Sequence, residues 1–153
     1  MQLTQHTDLG LRILLVLARG DGAPLSLPMF ARDQQVSYNH VAKVGQSLVH
    51  EGLALSVRGR NGGIRLARPA SEIRVGDAVR KLERGMKLAD CGRCILRNDC
   101  RLSCVLAEAL DAFLAVLDRY TLAEVAQPGF PAFMPWLTPG PAISSGTATA
   151  PGD

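Results

Sequence analysis

The chain has 153 residues, room for one compact domain or for a small module with an extension. Apolar residues make up 47% of it, enough for a packed core and against a disordered body. No stretch reaches the roughly 20 apolar residues of a membrane span, and the start, Met1-Gln2-Leu3-Thr4-Gln5, lacks a basic region followed by an apolar run, so no membrane is expected as partner and a cytoplasmic location is. Charge is uneven along the chain. Residues 1–68 carry eight Arg/Lys against four Asp/Glu, whereas residues 69–127 carry nine of each, so the basic N-terminal half points to a polyanion.

Thr7 is a capping residue for a first helix from about Asp8 to Arg19, in which Leu9, Ile13, Val16 and Leu17 share one face beside Leu14. Gly20-Asp21-Gly22 and Pro24 stop it. Ser26 caps a second short helix through Met29, Phe30 and Ala31. The turn Gln34-Gln35-Val36 follows, and Ser37 caps a third helix that carries Val41, Val44, Leu48 and Val49 inward. Two strand-like runs come next, Leu53 to Val57 and Gly63 to Ala67, joined by Arg58-Gly59-Arg60-Asn61-Gly62. Asn-Gly between apolar runs is a strong hairpin signal because both residues tolerate positive φ. Three helices, the last pair joined by a tight turn, followed by a β-hairpin, describe a winged helix-turn-helix: a mostly α fold with a small β wing.

Ser71 caps a further helix with Val75, Ala78, Val79 and Leu82 on one side. A loop of about fifteen residues follows, then a long helix from about Asp99 to Tyr120. Along it Leu102, Leu106, Ala109, Phe113, Val116 and Tyr120 recur at alternating spacings of four and three, a seam that packs on its own domain or on a second copy of itself. A DNA-reading half favours the second copy, hence a homodimer on a palindromic site. Thr121 with Glu124 forms a capping box for a last short helix. From Gln127 on lie six of the nine prolines with Gly, Ser and Thr; Phe130, Phe133, Met134 and Trp136 are candidates for local docking, and the residues after about Pro139 are expected to be disordered. The organisation expected is thus a DNA-binding domain over 1–70, a cysteine loop with a dimerisation helix over 71–126, and a Pro/Gly-rich tail over 127–153.

A recognition helix presents its first residues to base edges in the major groove. Here those are Ser37, Tyr38, Asn39, His40 and Lys43; Asn bonds adenine in two places, while Lys and Tyr suit phosphate or guanine. The wing carries Arg58, Arg60 and Asn61 on a glycine-rich tip narrow enough for a minor groove. A protein-binding winged helix with ordinary solvated polar residues is the competing reading. Neither His40 nor His50 is assigned a metal. No nucleophile–base pair, paired carboxylates or phosphate loop suggests an enzyme.

All four cysteines lie within fourteen residues, as Cys91-x2-Cys94-x5-Cys100-x3-Cys104. In a reducing compartment such clustering favours metal or redox chemistry over a disulfide framework. Thiolates are the usual ligands of iron–sulfur centres, and a loop running into a helix N-terminus suits an anionic cluster. Structural zinc also takes four cysteines, but between two close pairs set a dozen or more residues apart, where only five intervene here. A thiol–disulfide sensor remains open, as does a plain core role for Cys104 beside Val105 and Leu106.

Several stretches together resemble the NsrR/IscR family of winged-helix iron–sulfur regulators. They are Met1-Gln2-Leu3-Thr4 with Thr7-Asp8-Leu9-Gly10-Leu11-Arg12, Val36 to Lys43, Val57 to Leu66 with Pro69-Ala70, Cys94-x5-Cys100-Arg101-Leu102, and Leu117 to Ala123. The likeness covers residues 1 to about 126. It implies a transcriptional repressor that is a homodimer with a long crossing helix and holds a cluster near the interface. It also implies three thiolate ligands, which map onto Cys91, Cys94 and Cys100, and a fourth, aspartate ligand from the other subunit, which maps onto Asp8. A carboxylate among thiolates is a hard, weak ligand and a natural point of attack for a small molecule, with nitric oxide the effector implied.

The sequence departs from the family pattern in two places. Only two residues separate Cys91 from Cys94, and Cys104 is extra and is an alternative to Asp8. Ser103 and Ala107 stand where an IscR-like 2Fe–2S centre expects a histidine, so a 4Fe–4S cluster is the first choice and 2Fe–2S the alternative. The expected function is loss of operator binding when nitric oxide attacks the cluster. Two rivals are a regulator reading iron–sulfur status or redox poise, and a cluster-carrier or electron-transfer protein whose winged helix binds protein.

Overall fold

The computed structural model describes residues 2–96 and 99–128. Its elements run α1 (Gln5–Arg19), α2 (Leu27–Asp33), α3 (Tyr38–His50), β1 (Ala54–Val57), β2 (Gly63–Leu66), a 3₁₀ turn (Ala70–Glu72), α4 (Val75–Leu82), α5 (Arg101–Asp118) and α6 (Leu122–Val125). The fold is the expected mostly α chain with a two-stranded antiparallel wing, Ala54 pairing with Leu66 and Val57 with Gly63. The tail residues Phe130, Phe133, Met134 and Trp136, with the disorder expected after them, lie outside the described residues.

α1 is the central helix. It packs on α3, α4, α6 and β2, and its inward residues Leu9, Ile13, Leu14 and Leu17 join Val41, Val44, Leu48, Ile64, Ile73, Ala78, Leu82 and Leu122 in one core. Burying each large aliphatic side chain contributes roughly 1.5–3 kcal/mol. Val16, expected on this face, is 40% exposed instead. The buried face comprises Thr7, Leu9, Gly10, Ile13, Leu14 and Leu17, so the other expected residues are inward and only Val16 falls outside it; Gly10 lets α4 approach, since a Cβ there would sit 2.6 Å from the Leu82 side chain.

The expected caps need three corrections. α1 begins at Gln5 with Thr4 as its N-cap, whereas Thr7 is buried inside the first turn and gives its amide to the Thr4 hydroxyl. Ser26 and Ser37 stand at the N-cap positions of α2 and α3, but neither side chain makes a capping bond; Ser37 uses its carbonyl, which accepts from the His40 and Val41 amides. Ser71 belongs to the 3₁₀ turn, and Arg74 stands at the N-cap position of α4 without a side-chain capping bond. By contrast the Thr121–Glu124 capping box is formed in full, with the Thr121 amide 2.7 Å from the Glu124 carboxylate.

α6 then returns the chain to α1 and the 3₁₀ turn: the Leu122 amide bonds the Ile73 carbonyl and the Val75 amide the Tyr120 carbonyl. In the wing loop the left-handed backbone falls on Gly59 (φ 115°), not on Asn61 or Gly62. The five-residue connection closes with the Gly62 amide on the Gly59 carbonyl, so it is not a two-residue Asn-Gly turn.

Candidate nucleic-acid interface and cysteine site

α3 buries Val41, Val44, Gly45 and Leu48. The helical period therefore turns Tyr38, Asn39, Lys43 and Gln46 outward, with Ser37 exposed just before the helix and His40 half-buried. Arg58, Gly59, Arg60 and Asn61 are all exposed at the wing tip. The base of the wing is fixed to the body by Leu25: its amide bonds the Ile64 carbonyl at 2.8 Å, and the Ile64 amide returns to the Leu25 carbonyl at 3.1 Å. Gly63 permits this closeness, since a Cβ there would collide with the Leu25 carbonyl. Helix and wing thus stand on either side of an open groove of about 600 Å³ lined by Leu27, Tyr38, Ala42, Gln46, Val57 and Gly62. The proposed readers Ser37, Tyr38, Asn39, His40 and Lys43 share one end of α3, and Arg58, Arg60 and Asn61 share the wing tip.

A second cleft, of about 540 Å³, was not foreseen. Lys43, Gln46, Ser47 and His50 of α3 line it together with Thr4, His6, Lys81, Glu83 and Arg84. The spacing of residues 43, 46, 47 and 50 is the local signal that α3 has a second polar face; the rest of the lining is far away in sequence.

The cysteine segment begins directly after α4. Gly85 turns the chain in the left-handed region (φ 72°). The Gly92 amide bonds the Asp90 carboxylate, and the Cys94 amide reaches the Cys91 carbonyl at 3.4 Å, so these two cysteines bracket a single turn. α5 starts later than expected, and Cys100 is its N-cap (φ −111°, ψ 102°), not its first helical residue. The Cys100 carbonyl accepts from the Ser103 hydroxyl at 2.7 Å, and its side chain makes no capping bond. Cys91 also lines a small space of about 220 Å³ in which Met86 and Leu88 face Ser103, Leu106 and Leu110 of α5. Cys91, Cys94 and Cys100 are half-buried, Cys104 is exposed, and all four are free thiols.

The donor set fits an iron–sulfur centre in its chemistry: soft thiols, partly accessible, in a segment ending at a helix N-terminus with no side-chain cap. Among the described residues, however, no three Cys, His, Asp or Glu side chains converge on a metal-sized site. One chain by itself therefore does not gather Asp8, Cys91, Cys94 and Cys100. Asp8 lies in the first turn of α1 and pairs with Arg12 at 2.9 Å, both side chains about half exposed.

α5 is 18 residues long and has no buried residue. Leu102 is 61% and Val105 57% exposed, Ala109, Val116 and Tyr120 are also exposed, and Leu106 and Phe113 are half covered. An apolar helix left open in this way is the surface expected of a subunit contact. No helix among the described residues is long and apolar enough to cross a membrane.

Comparison with known proteins follows the same lines. Residues 3–128 match the Rrf2 family, described as iron-dependent transcriptional regulators. The chain is similar to the HTH-type transcriptional regulator NsrR of Shouchella clausii (strain KSM-K16), with 44% identity over 82% of this chain and 88% of the relative. Among solved structures it is similar to CymR (YrzC), the global cysteine regulator of B. subtilis, with a TM-score of 0.69 and 27% identity over 82% of this chain and 96% of that one. It is also similar to T. potens IscR, with a TM-score of 0.67 and 29% identity over 82% and 85%.

Proposed function

The chain belongs to the Rrf2 family of iron-dependent transcriptional regulators, and on that premise we propose that it is a homodimeric DNA-binding repressor that senses nitric oxide through a 4Fe–4S cluster held by its cysteine segment. Its relatives are regulators of transcription, not catalysts. What supports the sensing reading most is the position of the free cysteines: Cys91, Cys94 and Cys100 occupy the irregular segment between the DNA-reading body and an apolar helix with no buried residue. The 44% identity to a regulator named NsrR supports nitric oxide as the effector.

In this reading residues 1–70 read DNA and residues 71–126 sense and dimerise. Ser37, Tyr38, Asn39, His40 and Lys43 enter a major groove, and Arg58, Arg60 and Asn61 follow the adjoining minor groove. Leu102, Leu106, Ala109, Phe113, Val116 and Tyr120 form the subunit seam, so the two reading heads are held at a fixed separation on a palindromic operator. Cys91, Cys94 and Cys100 supply thiolates. Asp8 of the second subunit supplies the fourth, harder donor; Cys104, one turn into α5, is the rival for that place. When bound, the cluster supplies iron that reacts with nitric oxide, which makes it the sensing element. A donor set drawn from both subunits links its integrity to the separation of the reading heads, and so to operator affinity.

The test is duplex binding by anaerobically purified protein before and after addition of nitric oxide. A fall in affinity that tracks bleaching of the visible absorbance is expected. Unchanged affinity as the absorbance bleaches overturns the sensing reading, and failure to bind any duplex at low salt overturns the DNA-binding one.

A further inference from the structure

The last turn of α4 and the two residues after it, 81–84, form the root of the cysteine segment. Three of these four side chains reach across the molecule to the ends of other helices. The Glu83 carboxylate accepts from the Thr4 amide at 3.0 Å and from the Thr4 hydroxyl at 2.8 Å, and Thr4 is the N-cap of α1. Arg84 pairs with the carboxylate of Glu51, and Lys81 donates to the Glu51 carbonyl. Glu51 is the C-cap of α3, the helix carrying the DNA readers. Its side chain is only 16% exposed against 72% for Arg84, so the carboxylate is the anchored partner and the guanidinium the one that arrives. Glu51 and Glu83 both stay ionised below the ordinary carboxylate range, Glu51 chiefly through the Arg84 bond and Glu83 through its bonds to the Thr7 and Thr4 hydroxyls and the Thr4 amide, which outweigh the opposing effect of burial.

Glu51, Lys81, Glu83 and Arg84 are not members of the apolar core. What they do is set three segments at one point: the start of α1, four residues before Asp8; the end of α3; and the start of the chain that carries the cysteines. Gly85, in the left-handed region, follows at once and marks where the cysteine segment turns away from this anchored root.

We propose that Glu51 and Glu83 are positioning residues, a latch that transmits the conformation of the cysteine segment to the recognition helix. The inference rests on the DNA-binding and sensing reading above and names the path between its two sites. A segment held at its far end by Cys91, Cys94 and Cys100 keeps Arg84 and Glu83 in register with Glu51 and Thr4. Released, it lets Arg84 leave, and the last turn of α3 loses its cross-link to α4.

The test compares full-length wild type with Arg84→Glu, the charge swap Glu51→Lys with Arg84→Glu, and the near-isosteric Glu83→Gln. For each protein the affinity for a duplex selected from random sequence is measured with and without iron, and amide exchange is followed at residues 47–52 in the iron-loaded protein. Arg84→Glu is expected to keep the visible spectrum, to speed exchange at the end of α3 and to shrink the loaded-to-stripped affinity ratio about threefold to fivefold; the swap is expected to restore most of both. An unchanged ratio with unchanged exchange overturns the proposal, as does a folded swap that restores neither. If Arg84→Glu does not fold, Glu83→Gln carries the same expectation in weaker form and the same power to overturn. A wild-type ratio of one defeats the sensing reading instead, and the exchange comparison then decides the latch by itself.

Discussion

Arg80 and Asp118 meet in a two-pronged ion pair, each guanidinium nitrogen 2.6 Å from a carboxylate oxygen, and the pair ties α4 to the last turn of α5. Gly76 makes room for it, since a Cβ there would collide with the Asp118 carboxylate. α5 buries none of its residues in the single chain, so this contact is a main fixture of its C-terminal end.

The pair carries a pH signature. The Arg80 bond holds the Asp118 carboxyl below its ordinary 3.8, so the stabilisation is fully present above that value and is lost as pH falls through the lower folded value. Asp118→Asn is therefore expected to be less stable than wild type in urea at pH 7 and pH 5, with the difference closing below pH 3.8. A difference that persists undiminished in acid would assign the effect to packing instead.

The wing depends on Gly63 for space rather than for an unusual backbone angle. Gly63→Ala pushes the wing away from the Leu25 carbonyl, a rigid neighbour, and should cost about 1–3 kcal/mol. The denaturation midpoint should fall with its slope unchanged. Because Leu25 sets where the wing stands relative to α3, duplex affinity should fall as well, even though residue 63 is not at the tip.

At the wing tip, Arg60→Ala should weaken binding to a selected operator by about 1–3 kcal/mol and binding to an unrelated duplex much less, the mark of base reading. Equal loss on both duplexes, with the salt slope reduced by about one, would reassign Arg60 to phosphate. Titration by fluorescence anisotropy at two salt concentrations separates the two.

Two cysteine variants distinguish the ligand sets. Cys94→Ala should yield protein without bound iron, while Cys104→Ala should load iron normally if Asp8 supplies the fourth donor. Iron analysis of both, purified without oxygen, checks this. A colourless Cys104→Ala together with an iron-loaded Asp8→Ala would give the fourth place to Cys104.

Much of the fold was legible because its signals are local. Val41, Val44 and Leu48 recur at helical spacing, and Thr121 lies three residues before Glu124, so α3 and the capping box were readable without tertiary knowledge. The misreadings arose where a distant partner decides. Thr4 and Thr7 are both sound caps for α1; the choice falls to Thr4 because Glu83, 79 residues on, accepts its amide and hydroxyl. Helical period alone puts Val16 inward, but the buried face of α1 ends at Leu9, Ile13, Leu14 and Leu17 on one side and Thr7 and Gly10 on the other, and Val16 lies outside it. In the wing, composition named Asn61-Gly62, while the length of the loop puts the left-handed residue at Gly59. The cysteine segment was legible as chemistry from its four thiols, yet not as geometry, because among the described residues one chain does not bring three donors together. The Glu51–Arg84 and Arg80–Asp118 pairs left no trace in sequence, since charges 33 and 38 residues apart have no period to betray them.

The central claim is that iron held by the Cys91–Cys104 segment governs DNA binding. The most direct measurement takes one anaerobic preparation, determines its iron, sulfide and visible absorbance, and titrates a selected duplex before and after the iron is stripped. Brown protein containing both iron and sulfide is expected, with an operator affinity that drops sharply on stripping. Protein free of iron, or an affinity indifferent to its removal, would contradict it.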